Sequence, residues 1–316
     1  MLIYDKAYMD IRNKYIVPLT HYSVSYTQLK NCNIKSIILS KSKGINIGRK
    51  NEYIFHFEES DILKGLLGDI GMFYVRYLIH NNDTKLISES SVSSNWNIVS
   101  HYYNAFFVAS LLLRLSYRGN IFLDNDLKKN IEKLISSVTD NAVSIDSKQF
   151  YEVLEENNEY VLKLRPMNSV GTHELVWKEM DILIDELKML TRKNSDEDLL
   201  LTSIKCVNDI FVNTYPSKLR NRVNYQPIYG LQYIDRKLYP INENISWINQ
   251  LLHYSKTDDD NQIACYMYAY TKYIEQFANN LVSEYYMIKG NENGILQRVN
   301  KYRSDKIGII GAKYSF

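Results

Sequence analysis

The chain has 316 residues, 45% of them hydrophobic and 23% charged, with a formal net charge of +2. Those are globular proportions, and they exclude a disordered tail, a collagen and a disulfide-stapled miniprotein. Only 12 Gly and 5 Pro occur, which argues against a turn-rich β architecture.

Residues 1–16 carry apolar side chains at near-helical spacing, and Pro18 ends that run. Ile34–Leu39 and Tyr53–Phe57 read as short strands. The basic, Gly-containing segment SKSKGINIGRKN between them reads as a hairpin loop. The first 59 residues are therefore expected to form a small mixed α/β element. From Ser60, a predicted cap, a helix follows with Leu63, Leu66, Leu67, Ile70, Tyr74 and Tyr77 on one face. The polar stretch from His80 to Asn95 reads as a loop. Trp96–Tyr117 is apolar nearly all round, as the central helix of a bundle is, and Gly119 is its expected left-handed C-cap residue. A shorter amphipathic helix spans Asp124–Val138. Residues 140–170 read as a polar insertion with weak strand signals at Val143–Ile145 and Tyr160–Leu164. Thr172 is then expected to cap a helix to Lys193, with Val176, Met180, Ile184 and Leu187 on its inner face. The next helix, from Ser195, has the seam Leu200, Ile204, Val207 and Phe211 and is expected to stop at Pro216. Residues 217–241 read as basic, aromatic and irregular, and Ile245–His253 as a short helix. The last long helix spans about 260–288, with Met267, Tyr270, Ile274, Phe277 and Leu281 on one stripe. This gives a mainly α chain: a helical domain over 60–316 behind the 1–59 element.

The charge is unevenly spread. Residues 1–50 hold nine Lys or Arg against two Asp, and residues 140–198 hold fourteen acids against seven bases. Residues 216–238 return to five bases and one acid. Basic ends around an acidic middle can present a basic face to nucleic acid. The same pattern fits a solvated mixed surface or complementary patches of an oligomer. The three Cys (Cys32, Cys206, Cys265) are widely spaced and odd in number, as reduced thiols are. No run of about 20 apolar residues is present to span a membrane. The N-terminus MLIYDKAYMD lacks the features of a signal peptide; the reduced-thiol pattern of the three Cys is that expected of a cytoplasmic protein.

Few motifs carry chemistry. GLLGDIG (Gly65, Gly68, Gly71) lacks the spacing of a phosphate loop and reads instead as a small-residue packing face. Neither H-x-x-x-H nor H-E-x-x-H occurs, Asp258–Asp260 reads as a helix cap, and no metal or cofactor is expected. No Ser sits in a G-x-S-x-G elbow. His101 reads as a core histidine. His173 opens a helix, where the dipole disfavours its cation, so neutral imidazole is expected. The most informative segment is PSKLRNRVNYQPIYG, residues 216–230. Lys218, Arg220 and Arg222 suit phosphates, while Asn221, Asn224 and Tyr225 can hydrogen-bond to bases or stack on them. The alternative for Arg220 is a structural pairing with the acidic 174–186 helix.

Three stretches carry a family resemblance: W-N-I-V-S-H-Y-Y-N-A-F-F-V-A-S-L-L-L within 96–117, T-H-E-L-V-W-K at 172–178, and R-N-R-V-N-Y at 220–225. Over about 96–288 the chain resembles the HEPN-like superfamily, helical domains of prokaryotic toxins, abortive-infection proteins and antiviral systems. It is similar, less closely, to YaaC-like proteins. The resemblance implies a multi-helix HEPN-like bundle and a part in prokaryotic antiviral defence, including toxin–antitoxin pairs. It implies a homodimer, for which Tyr215, Tyr225, Tyr229 and Tyr233 would supply interface aromatics; with no membrane-spanning run in the sequence, no membrane partner is expected. It places R-N-R-V-N-Y where active members carry the Arg and His of a metal-independent ribonuclease. Here Arg220 is followed at that spacing by Tyr225, and Tyr, with a pKa of about 10, is a poor general base. The expectation is a catalytically degenerate protein that binds RNA or a partner protein through Lys218, Arg220, Asn221, Arg222, Asn224 and Tyr225. The alternatives are an active ribonuclease using Arg220 and Tyr225, or a scaffold for a neighbouring ATPase or nuclease.

Overall fold

A computed structural model describes residues 6–28, 31–48, 52–89, 94–139, 143–167, 171–226, 247–253 and 260–289. In chain order they form α1 (Lys6–Ile11), α2 (Val17–Leu19), α3 (Ile34–Lys41), β1 (Gly44–Ile47), β2 (Tyr53–Phe57), α4 (Glu59–Glu89) and α5 (Ser94–Leu115). Then come β3 (Arg118–Phe122), α6 (Asn125–Thr139), β4 (Lys148–Glu156), β5 (Glu159–Pro166), α7 (Thr172–Leu190), α8 (Asp196–Phe211) and α9 (Tyr215–Tyr225). Helices α10 (Trp247–Leu252) and α11 (Asp260–Lys289) complete the described elements. The fold is mainly α, with one small antiparallel sheet.

The chain divides into two compact units, and both take residues from either side of position 60. The first contains the chain up to Lys14, Arg76–Leu113 and His173–Leu281. The second contains Tyr15–Val75, Arg114–Thr172 and the chain from Val282.

The second unit holds the sheet, in the order β1-β2-β5-β4-β3 with every pairing antiparallel. The segment read as a polar insertion therefore supplies a β4–β5 hairpin that joins β2 to β3; Tyr160–Leu164 is a strand, while Val143–Ile145 is not. Ile34–Leu39, expected as a strand, is helical. Its β-branched content is overruled by a reciprocal cap: Asn33 Oδ1 accepts from Ser36 N at 3.0 Å, and Ser36 Oγ accepts from Asn33 N at 3.1 Å. The expected hairpin loop contains β1. On α4, a Cβ at Gly65 would press on Ile37, and one at Gly68 would collide with the Cys32 carbonyl. Those glycines are packing positions, as their spacing suggested. Tyr117 (φ 63°), rather than Gly119, takes the left-handed position after α5. Arg114 is 2% exposed; its guanidinium lies 3.4 Å from the Phe73 ring centroid, and its Nε is 3.8 Å from Asp69 Oδ2. Tyr151 Oη donates to the same carboxylate oxygen at 3.0 Å.

The first unit is helical. Asn104 Nδ2 on α5 donates to Glu275 Oε1 on α11 at 2.5 Å, and His101 meets the Tyr268 ring edge-on at 5.5 Å. The long apolar helices thus pack together, with Phe106 and Phe277 buried. Asn95–Leu115 is long and apolar enough to cross a membrane, yet 83% of its most apolar window is buried inside the protein, as in a core helix. Helix α4 runs to Glu89 through the stretch expected to be a loop. Asp181 on α7 gathers Lys205 Nζ at 2.8 Å, Asn208 Nδ2 at 2.9 Å and Asn213 Nδ2 at 3.2 Å, tying α7 to α8 and the residues that follow it.

Candidate functional site

Residues 215–225 are helical rather than irregular; residues 227–246, with Tyr229 and Tyr233, lie outside the described residues. Pro216 opens α9 instead of closing α8, because its fixed φ and missing N–H are tolerated in a first turn. Helix α8 ends at Phe211, and Val212 follows it at φ 67°.

Helical periodicity then sorts the basic segment. Tyr215, Ser217, Leu219, Arg220 and Val223 are buried. Lys218, Asn221, Arg222, Asn224 and Tyr225 are exposed. Of these, Lys218, Asn221, Arg222 and Tyr225 recur at the spacing of a single helix face. Arg220 and Tyr225, five positions apart, lie on different sides of α9, the first 9% exposed and the second 72%. The structure therefore does not bring together the two residues that the motif alignment would make catalytic.

Arg220 instead meets a cluster from α5 and α7. Its guanidinium carbon lies 5.4 Å from the Tyr102 ring centroid and 5.8 Å from that of Tyr103. His173, in the first turn of α7, stacks on Phe106 at 4.3 Å, and its Nδ1 is 2.8 Å from Tyr102 Oη. Burial first, and then the Arg220 charge, push the His173 pKa down to about 4. The imidazole is neutral as expected, but from desolvation and a neighbouring cation rather than from the helix dipole. Burial raises the Tyr102 pKa, with Trp177, Ser217 and Arg220 opposing. Glu174 pairs with Lys178 at 3.2 Å, and among the described residues Arg220 forms no ion pair with the acidic face of α7. Among the described residues its Nε finds no hydrogen-bond partner.

His173 and Arg220 are 47 positions apart, and no linear spacing announces their meeting. The only sequence signal was the Tyr102–Tyr103 doublet on an otherwise apolar helix.

A second polar cluster lies in the same unit, where α4, α5 and α11 enclose a cavity of about 10 Å³ lined by Ser88, His101, Asn104, Lys272 and Glu275, among others. That is about the space of one water molecule. His101 Nε2 is 3.2 Å from Ser88 Oγ, and Lys272 Nζ is 3.1 Å from Glu275 Oε2. His101 is a core histidine, 7% exposed; burial, and secondarily Lys272, bring its pKa to about 4. Among the described residues no group of three or more His, Cys, Asp or Glu could hold a metal ion. Of Asp258–Asp260, only Asp260 falls within those residues, at the start of α11.

Comparison with protein families, with curated proteins and with solved structures finds no match.

Proposed function

We propose that the chain is a HEPN-like component of a prokaryotic antiviral defence system that binds RNA through the exposed face of α9. The defence setting comes from the family resemblance alone. The observation that favours RNA binding is the sorting of α9: Lys218, Asn221, Arg222, Asn224 and Tyr225 face solvent while the apolar residues turn inward. Cations on one face of a helix suit a phosphate backbone, and an exposed Tyr can stack on an unpaired base. The cytoplasm, a homodimer and single-stranded RNA are the setting we propose for that face.

Catalysis is expected to be weak or lost. Tyr225 stands apart from Arg220, and an imidazole with a pKa near 4 is a feeble base at neutral pH. A second reading, an active metal-independent ribonuclease, is favoured by one observation: a histidine does approach Arg220, but it is His173. The two readings separate by incubating the protein with labelled RNA in EDTA; cleavage that is lost in His173→Ala would favour the ribonuclease.

Binding is tested by fluorescence anisotropy of labelled single-stranded RNA across about 50–200 mM salt. The double variant Lys218→Ala/Arg222→Ala should weaken binding across RNA sequences and reduce the slope of log K against log salt by about 2. An unchanged slope would refute the α9 reading.

A further inference from the structure

The cavity of about 10 Å³ between α4, α5 and α11 has Asn104 in its wall. Both hydrogens of the Asn104 amide are used: Nδ2 donates to Glu275 Oε1 at 2.5 Å and to Asn81 Oδ1 at 3.4 Å. The carboxylate fixes the orientation of that amide, because a turned amide would set Oδ1 against Glu275. Asn104 is 2% exposed, and among the described residues its Oδ1 has no hydrogen-bond partner. A buried carbonyl oxygen left without a donor is costly.

The threonines that line the cavity are acceptors too. Thr84 Oγ1 donates to the Ser100 carbonyl at 3.3 Å, and Thr271 Oγ1 donates to the Met267 carbonyl at 2.6 Å. A hydroxyl has one proton, so each threonine has only lone pairs left to offer. An anion is repelled by such a set. A cation would meet Lys272, which lines the same cavity with Nζ 3.1 Å from Glu275 Oε2 and already supplies the counter-charge of that carboxylate. A polar cavity of this size suits a neutral donor with one heavy atom, whereas cavities that stay dry are apolar.

We propose that this cavity is the binding site of one internal water molecule, which clasps α4, α5 and α11 together. The water donates one hydrogen to Asn104 Oδ1 on α5 and the other to a threonine hydroxyl, Thr84 on α4 or Thr271 on α11. It extends the Lys272–Glu275–Asn104 chain of hydrogen bonds across the polar seam of the helical unit. The site does not depend on RNA binding by the outer face of α9.

The test uses the full chain. A high-resolution crystal structure should show a single peak about 2.8 Å from Asn104 Oδ1. Crystals soaked in rubidium chloride should give no anomalous signal at that peak, which separates water from a monovalent cation. In solution, the side-chain amide protons of Asn104 should show a rotating-frame Overhauser effect to a bound water. Oxygen-17 magnetic relaxation dispersion counts long-lived internal waters, and Asn104→Leu should lose one relative to the wild type. Lys163→Ala, on β5, should leave the count unchanged. If circular dichroism shows that Asn104→Leu does not fold, the wild-type crystal and the Overhauser effect decide. The proposal is overturned if no peak lies within hydrogen-bond distance of Asn104 Oδ1, if rubidium occupies the peak, or if a folded Asn104→Leu keeps the full count.

Discussion

Lowering the pH should selectively weaken the helical unit through His101. In the unfolded chain this imidazole has a pKa of about 6.5. In the fold it is 7% exposed, and burial together with Lys272 brings it to about 4. Above about pH 6.5 neither state binds the proton, so the stability is fully present. Between about 6.5 and about 4 the unfolded state takes up a proton that the folded state refuses, and stability falls with pH. A shift of this size corresponds to about 3 kcal/mol, most of it lost by about pH 4.5. His173 acts in the same direction but is partly exposed, so its share is smaller. The assay is urea unfolding at about pH 7 and about pH 4.5 for the wild type and for His101→Gln, which keeps a polar partner for Ser88 without a titrating ring. Carboxylates titrate alike in both proteins, so the difference between the two pH losses isolates His101. The variant should lose about 2–3 kcal/mol less than the wild type over that interval. Equal losses would refute the desolvated-histidine reasoning.

Three further outcomes concern packing and backbone. Phe277→Ala removes a ring that is 1% exposed and lies 5.7 Å from Tyr8, and should cost about 3–5 kcal/mol in the same unfolding assay. Val212 is β-branched, half exposed and held at φ 67°, so Val212→Gly should stabilise the chain by about 1 kcal/mol, read as a higher melting temperature. Gly68→Ala drives a methyl group into the Cys32 carbonyl and should cost about 3 kcal/mol or prevent folding, read from circular dichroism and yield; a neutral result would mean that α4 does not approach that backbone as described.

The sequence showed its helices where burial is apolar. The stripes on α4, α7 and α11, and the almost wholly apolar α5, were legible because hydrophobic spacing reports directly on a packed face. It misled where polar groups are buried. Ser88 and the residues around it read as a loop, yet α4 continues there because their partners are Asn97, Ser100, His101 and Asn104 on α5 across a polar seam. At Ile34–Leu39, composition favoured a strand and a two-residue cap prevailed. The basic segment was found, but its sorting into an outer face and an inward Arg220 needed the helix that Pro216 begins. The approach of His173 to Arg220 is tertiary, set by the packing of α7 and α9 against Tyr102, and has no local signature.

The central claim is that RNA lies on the outer face of α9, and cross-linking measures that directly. Single-stranded RNA carrying 4-thiouridine would be irradiated on the full chain and the linked peptides identified by mass spectrometry. The account predicts cross-links within Lys218–Tyr225, with Tyr225 foremost as the most exposed aromatic of that face, at 72%. Cross-links that form efficiently elsewhere and leave this segment unmodified would contradict it.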